Sequence, residues 1–109
     1  MATARDLRRL ALALEGTTEA PHFDRAAFKV VRIYVTLAAD GKTANFKLTP
    51  DEQDFKCMML PTAFFPVPNA WGRQGWTTAT LAKLTAADLA SALEMAWQHA
   101  LAKRPARKR

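Results

Sequence analysis

The chain has 109 residues, half of them apolar, and a formal net charge of +6. This length predicts one domain, and the apolar content is too high for a disordered body. No apolar run approaches the roughly 20 residues that cross a bilayer, so we expect no membrane contact. Cys57 is the single cysteine and cannot form an internal disulfide. Together with an N-terminus unlike a signal peptide, it predicts a cytoplasmic protein.

The positive charge is concentrated at the C-terminus. Five of the sixteen basic residues stand in the last seven positions. The other eleven basic residues and the ten acidic residues give the rest of the chain a net charge of +1. Pro105 is expected to end the last helix. We therefore expect a nearly neutral domain over residues 1–102 and a basic tail over residues 103–109. Such a tail attracts nucleic acid without sequence preference, or only keeps the chain soluble.

The first helix is predicted from Thr3, an N-cap with Asp6 three residues later, to Gly16. A polar connection over residues 17–25 follows. It contains His22, which we interpret as a hydrogen-bonding loop residue, because it lacks the partners of a metal site or an acid–base site.

Three strands are predicted next, over residues 27–31, 32–38 and 43–48. In the second strand, Ile33 alternates with Tyr34, which predicts Ile33 on the covered face and Tyr34 outside. The outward side chains would form a partly basic face with one aromatic residue: Lys29, Arg32, Tyr34, Asn45 and Lys47.

Thr49-Pro50-Asp51-Glu52 is a clear helix start, with a capping box and a proline in the first turn. The helix is predicted to reach about Met59, with its larger apolar residues packed inward: Phe55, Met58 and Met59. Cys57 would lie in the core or at its boundary.

Residues 63–77 contain two of the three tryptophans, two adjacent phenylalanines, two prolines and two glycines. The prolines exclude a central strand, and Gly72 and Gly75 bracket a tight turn with Arg73 at its tip. Either the aromatic residues close the core, or Trp71, Arg73 and Trp76 form part of a binding surface.

A strand over residues 76–81 is predicted to direct Trp76 at the covered face of the sheet. The last helix begins after Thr85, with Trp97 on its apolar stripe as a core anchor and His99 outside that stripe.

Catalytic and cofactor motifs are not evident. No glycine-rich phosphate loop, metal-ligand spacing or nucleophile elbow can be assembled, and an enzyme would have only His22 and Asp24 to use. We therefore expect a protein without catalysis, metal or other cofactor.

Several short motifs occur in a specific order: Pro21-His22-Phe23, Ala27-Phe28-Lys29-Val30, Tyr34-Val35-Thr36-Leu37, Asn45-Phe46-Lys47-Leu48, Thr49-Pro50-Asp51-Glu52, Phe64-Phe65-Pro66-Val67-Pro68, Trp71-Gly72 and Gly75-Trp76-Thr77. In this combination the chain resembles the MmcQ/YjbR-like family over roughly residues 7–97.

The resemblance implies a single two-layer α+β domain with an antiparallel sheet of about five strands, in the order α-β-β-β-α-β-β-α. It places a fifth strand between Phe64 and Trp71, at an edge of the sheet. It also implies DNA binding, with no catalytic residues and no cofactor. The DNA binding of the family is inferred from two β-hairpins that are described as wings. Relatives tend to carry a longer glycine-containing hairpin at Val31-Arg32, so one of these wings would be shorter here.

The leading hypothesis is therefore weak, phosphate-directed binding of nucleic acid through the outer sheet face, the Arg73 turn and the tail. The alternative is a non-catalytic protein-interaction or self-association domain, a monomer or weak homodimer, with Tyr34, Trp71 and Trp76 as contacts. The candidate nucleic-acid contacts are Lys29, Arg32, Tyr34, Lys47, Trp71, Arg73, Lys103, Arg104, Arg107, Lys108 and Arg109.

Overall fold

The computed structural model describes residues 1–102. Along the chain, six strands follow a first helix and precede a last one. The helices and strands follow in this order: α1 Ala4–Ala13, β1 Thr18–His22, β2 Arg25–Lys29, β3 Ile33–Leu37, β4 Thr43–Lys47, α2 Pro50–Met59, β5 Phe64–Pro66, α3 Ala70–Arg73, β6 Trp76–Thr80 and α4 Ala86–Leu101. A 3₁₀ turn, Leu81–Lys83, joins β6 to α4. Capping boxes are formed at Thr3, Thr49 and Thr85, the three positions where the sequence predicts the helix starts.

The strands form one antiparallel sheet in the order β1-β2-β3-β4-β6-β5. One face carries the core, where Phe28, Val35, Phe46 and Thr77 lie side by side on four neighbouring strands. Helices α1 and α4 pack on each other, and α4 also contacts β3 and β4. This two-layer arrangement confirms the predicted α+β class.

The sheet has six strands where five were expected. The additional strand is β1, which the sequence predicted as a polar connection. All five of its residues are exposed, so no alternation marks it as a strand. It pairs with β2 through the backbone at one edge, where Pro21 is tolerated. Strand β5 forms the other edge, as its prolines predicted.

Tyr34 is fully buried, so its predicted place on the outer face is wrong. The pairing of β2 with β3 shifts at this point, from Phe28 opposite Val35 to Lys29 opposite Ile33. This bulge turns Tyr34 to the covered face, where its hydroxyl shares a hydrogen bond of 2.8 Å with Thr17 Oγ1. Burial raises the pKa of Tyr34. The same shift directs Ile33 to the uncovered face, opposite to the prediction.

Phe55, Met58 and Met59 of α2 are all exposed, which contradicts their predicted inward packing. Cys57 packs partly buried against the core, at its boundary as predicted. Gln53 and Lys56 are the buried residues of this helix. Lys56 Nζ donates to Ser91 Oγ at 2.9 Å and lies 5.9 Å from the centre of the Phe64 ring. Burial lowers the pKa of Lys56, while Asp88 and Glu52 act in the opposite direction.

Gly72 and Gly75, both within residues 63–77, allow close contacts between backbone segments. Gly75 has a φ of +106°, and a Cβ at this position would overlap the carbonyl oxygen of Leu48. A Cβ on Gly72 would overlap the carbonyl oxygen of Val67. Each position therefore requires glycine for a close backbone approach.

Gly75→Ala is expected to lower the free energy of unfolding by about 3 kcal/mol or more, because it combines an unfavourable φ with a backbone overlap. Gly41→Ala is the matched control: its φ is +74°, but the nearest atom, Ala4 Cβ, lies 3.2 Å away. The control should lose only about 1–2 kcal/mol. Urea unfolding of both variants measures the difference, and equal losses would contradict the proposed close approach at Gly75.

Candidate functional site

A groove of about 420 Å³ crosses the face of the sheet opposite the helices. It extends from the turn between β1 and β2 to the segment that carries Trp71. We call it the aromatic groove; it is lined by His22, Phe23, Asp24, Arg25, Ile33, Thr36, Asn45, Val67, Asn69, Trp71 and Trp76.

Trp76 lines this groove and is only partly buried, so its predicted place on the covered face is wrong. The alternation along β6 is as predicted, but its phase is opposite: Thr77 and Ala79 are the buried residues. Thr77 can occupy the core because its Oγ1 donates to the Gly75 carbonyl oxygen at 2.9 Å. Thr77, a polar residue with a local hydrogen bond, is therefore buried in the core. The larger, apolar Trp76 lies on the opposite face of the sheet.

Trp71 lies at one end of the groove with 58% of its surface exposed. Its backbone N–H donates to Asn69 Oδ1 at 2.9 Å, which caps the short helix α3. The third tryptophan, Trp97, packs against the core as predicted. Its Nε1 donates to the Glu15 carbonyl oxygen at 3.0 Å. Two of the three tryptophans therefore line the groove, and one packs against the core.

The floor of the groove consists of polar side chains that form hydrogen bonds within the sheet. Arg25 Nε donates to Thr36 Oγ1 at 2.8 Å, and its terminal nitrogen donates to the Thr36 carbonyl oxygen at 3.2 Å. On the next strands, Thr78 Oγ1 donates to Asn45 Oδ1 at 2.8 Å. The Asn45 amide nitrogen donates to no atom of residues 1–102. Its two N–H donors are therefore available to a ligand.

Four basic residues lie at one end of the sheet, where β2 and β4 end and β3 and β6 begin. We call this the basic end; it comprises Lys29, Arg32, Lys47 and Arg73. Lys47 lies opposite Trp76 on β6, and its Nζ donates to the Gln74 carbonyl oxygen at 2.7 Å. The pKa of Lys47 is lowered, first by burial and then by the nearby Arg32 guanidinium.

None of these four residues forms an ion pair with a carboxylate side chain of residues 1–102. The pKa of His99 on α4 is also lowered, first by burial and then by Lys47, with Arg32 contributing in the same direction; Glu52 opposes them. The C-terminal end of α4 is therefore close to the basic end. His99 is half-buried, less exposed than the sequence indicated.

The predicted site residues thus divide into three groups. Lys29, Arg32, Trp71 and Arg73 are exposed and Lys47 is half-buried, and all five belong to the basic end or the groove. Tyr34 is excluded by burial. The tail residues, 103–109, lie outside the described residues.

Phe23 and Arg25 belong to the groove although neither was predicted as a site residue. His22 and Arg25 close a two-residue hairpin, and the ring of His22 packs edge-on against Phe23 at 4.8 Å between centroids. The sequence signal that could have identified them is an aromatic residue followed by aspartate in a short polar connection.

Metal binding and membrane insertion have no structural support within residues 1–102. No group of three or more His, Cys, Asp or Glu side chains in this part of the chain could hold a metal ion. None of the helices described is long and apolar enough to cross a bilayer.

Gln53 of α2 holds the tryptophan-bearing segment in place. Its Nε2 donates to two backbone carbonyl oxygens, that of Gly72 at 2.9 Å and that of Trp76 at 3.1 Å. Each carbonyl oxygen also accepts from a backbone N–H group, that of Gly75 at Gly72 and that of Val67 at Trp76. The side chain of Gln53 therefore links α2 to the backbone at Gly72, next to Trp71, and at Trp76.

Gln53→Leu is expected to cost about 1–3 kcal/mol of stability, because two hydrogen bonds are lost, although the Gly72 and Trp76 carbonyl oxygens keep their backbone donors. It should also change the tryptophan fluorescence, since Trp71 and Trp76 are adjacent to these carbonyls. Gln98→Leu, at an exposed position of α4, is the matched control and should leave stability within about 0.5 kcal/mol. If both variants melt like the wild type, Gln53 does not hold the segment.

Comparisons with known proteins identify the family. The chain matches the family model YjbR over residues 12–99, and none of the curated proteins matches it. Among solved structures it is similar to the crystal structure of Deinococcus radiodurans protein DR2400, a DUF419 domain. The two share 23% identity with a TM-score of 0.78 over 99% of this chain and 84% of that chain, a likeness that shows the fold alone. Because the family model spans most of the sequence, the chain belongs to the YjbR family.

Proposed function

We propose that this protein binds nucleic acid weakly, through phosphate contacts at the basic end of its uncovered sheet face. The proposed activity is binding without catalysis, in the cytoplasm. The observation that supports it best is the approach of Arg32 to Lys47 with no carboxylate partner for either. The half-buried Trp76 lies opposite Lys47 on the neighbouring strand.

Two like charges in proximity, one of them partly buried, raise each other's free energy. A phosphate placed between Arg32 and Lys47 would relieve this repulsion and replace the hydration that Lys47 has lost. Binding of the anion would also favour the charged form of Lys47, whose pKa is lowered without it. The arrangement therefore suits an anionic ligand.

The tail can contribute to the same electrostatic field. His99 is near Lys47 and Arg32, and α4 ends two residues later, at Leu101. The sequence that follows carries five basic residues. Long-range attraction of phosphates falls off over a Debye length of about 8 Å at physiological salt, so cations on this side of the molecule would act together.

The affinity for nucleic acid should fall linearly with salt on logarithmic axes, with a slope of about −0.9 per duplex phosphate or −0.7 per single-strand phosphate. The double variant Lys29→Gln/Arg32→Gln should flatten this slope by about one to two units. Removal of residues 103–109 should flatten it by up to about four units if the tail contacts phosphates. Fluorescence anisotropy with labelled oligonucleotides at several salt concentrations measures each slope.

The matched control is Lys42→Gln/Lys83→Gln, which removes the same charge at exposed positions away from the basic end. Arg73→Ala should weaken binding without a change in melting temperature, because Arg73 is exposed at the end of α3, the short helix that takes the place of the predicted turn. Equal effects of the two double variants would show only a general charge effect. No binding of duplex or single strand at low salt would disprove the proposal.

A protein-interaction function is the second candidate, and the outer side of α2 is the observation in its favour. Met58 is 71% exposed, and Phe55 and Met59 are also largely exposed. Their spacing along the helix places them on one side. Exposed apolar residues that cluster in this way are typical of contact surfaces.

Self-association through this side of α2 should appear as a concentration-dependent dimer in sedimentation velocity, insensitive to salt. Met58→Lys should abolish it, because a charge would be buried in an apolar contact. Leu12→Lys, at an exposed apolar position of α1, is the control and should leave it intact. A monomer at millimolar concentration would exclude self-association by this surface.

A further inference from the structure

We propose that the aromatic groove binds an unpaired nucleobase, so that the protein prefers single-stranded nucleic acid to duplex. This inference rests on the nucleic-acid function proposed above and assigns the groove a separate role within it. Phosphates would bind at the basic end, while a base would enter the groove beside it.

The hairpin turn at one end of the groove presents an aromatic ring that the fold does not require. Phe23 is 94% exposed and has a φ of +59°, the one non-glycine residue with positive φ in residues 1–102. Two-residue hairpin turns favour glycine or asparagine at such a position. An exposed phenylalanine there gains little from burial and is in an unfavourable backbone conformation. Residues that contradict local preferences for backbone conformation and burial tend to mark functional sites.

The opposite end of the groove presents two indole rings on a fixed support. Trp71 is held by the Asn69 cap and by the close approach of Gly72 to Val67. Trp76 is held in β6 opposite Lys47. Aromatic rings that are exposed but rigid are suitable platforms for base stacking, and any base offers a ring face to stack.

The floor between these rings supplies hydrogen-bond donors. The Asn45 amide has two N–H groups directed to no atom of residues 1–102, and Arg25 is anchored on Thr36 at the same face. Donors of this kind pair with the carbonyl oxygens of thymine, uracil or guanine. Asp24 is the one carboxylate among the lining residues and could accept from a base N–H.

Charge and shape together favour this ligand over an apolar peptide. The groove opens towards Lys47 through Trp76, so a base on the indole rings would bring its phosphate towards the basic end. A base paired in a duplex has both faces stacked and its hydrogen-bonding edge occupied. Only an unpaired base could use the rings and the floor together.

The test compares two oligonucleotides with the same number of phosphates, an eight-residue oligothymidylate and an eight-residue abasic strand. The wild-type protein should bind the oligothymidylate about tenfold more tightly or better, since stacking of one base contributes about 1–3 kcal/mol. Phe23→Ala and Trp71→Ala should each reduce this ratio severalfold while leaving the salt slope unchanged. Phe65→Ala, at an exposed aromatic residue that does not line the groove, is the control and should keep the ratio.

Each outcome separates the two proposals. Equal affinity for the abasic and thymidylate strands would overturn the base site and leave phosphate binding intact. Tighter binding of duplex than of single strand would also overturn the base site. No binding of any strand at low salt would overturn the nucleic-acid function itself. If Trp71→Ala fails to fold, Phe23→Ala still decides the matter, because an almost fully exposed side chain contributes little to stability.

Discussion

The two hydrogen bonds that the Gln53 amide donates to the Gly72 and Trp76 carbonyl oxygens tie α2 to the segment between β5 and β6. The same carbonyl oxygens accept from the backbone N–H groups of Gly75 and Val67, so the polar backbone of this segment is satisfied where it meets the domain. Glycines at 72 and 75 allow the backbones to approach closely enough. The apolar outer side of α2 remains exposed, while Gln53 and Lys56 are the buried residues of this helix.

The two faces of the sheet carry different kinds of side chain. Its covered face is filled by aromatic and aliphatic side chains from five strands, β2 to β6, closed by α1 and α4. Its other face has short hydrogen bonds between neighbouring strands, such as those of Arg25 and Asn45. Antiparallel sheets commonly leave one face to solvent. Here that face carries aromatic rings together with cations that form no ion pair within residues 1–102, a combination that solvation alone does not require.

Function in this family cannot be carried over from the fold, because one architecture supports many activities. The proposed binding of nucleic acid therefore depends on the basic end and the aromatic groove. The domain as a whole is close to neutral without its last seven residues. Its attraction for phosphate would arise from the local concentration of Arg32 and Lys47, with the tail adding to it. Weak affinity follows naturally from so few contacts.

The sequence by itself determined the class of the fold, the capped starts of three helices and the edge position of β5. Each depends on local chemistry: a hydroxyl at an N-cap, or a proline without a backbone donor. Tertiary structure alone decided which side chains face the groove. The bulge at Tyr34 changes the faces of Ile33 and Tyr34 but leaves Val35 in the core as predicted, and β6 has the opposite phase, with the hydrogen-bonded Thr77 buried. A phase shift of one residue moves a side chain to the opposite face. Periodicity specifies the alternation of a strand, but only the partner strands and buried hydrogen bonds select its phase.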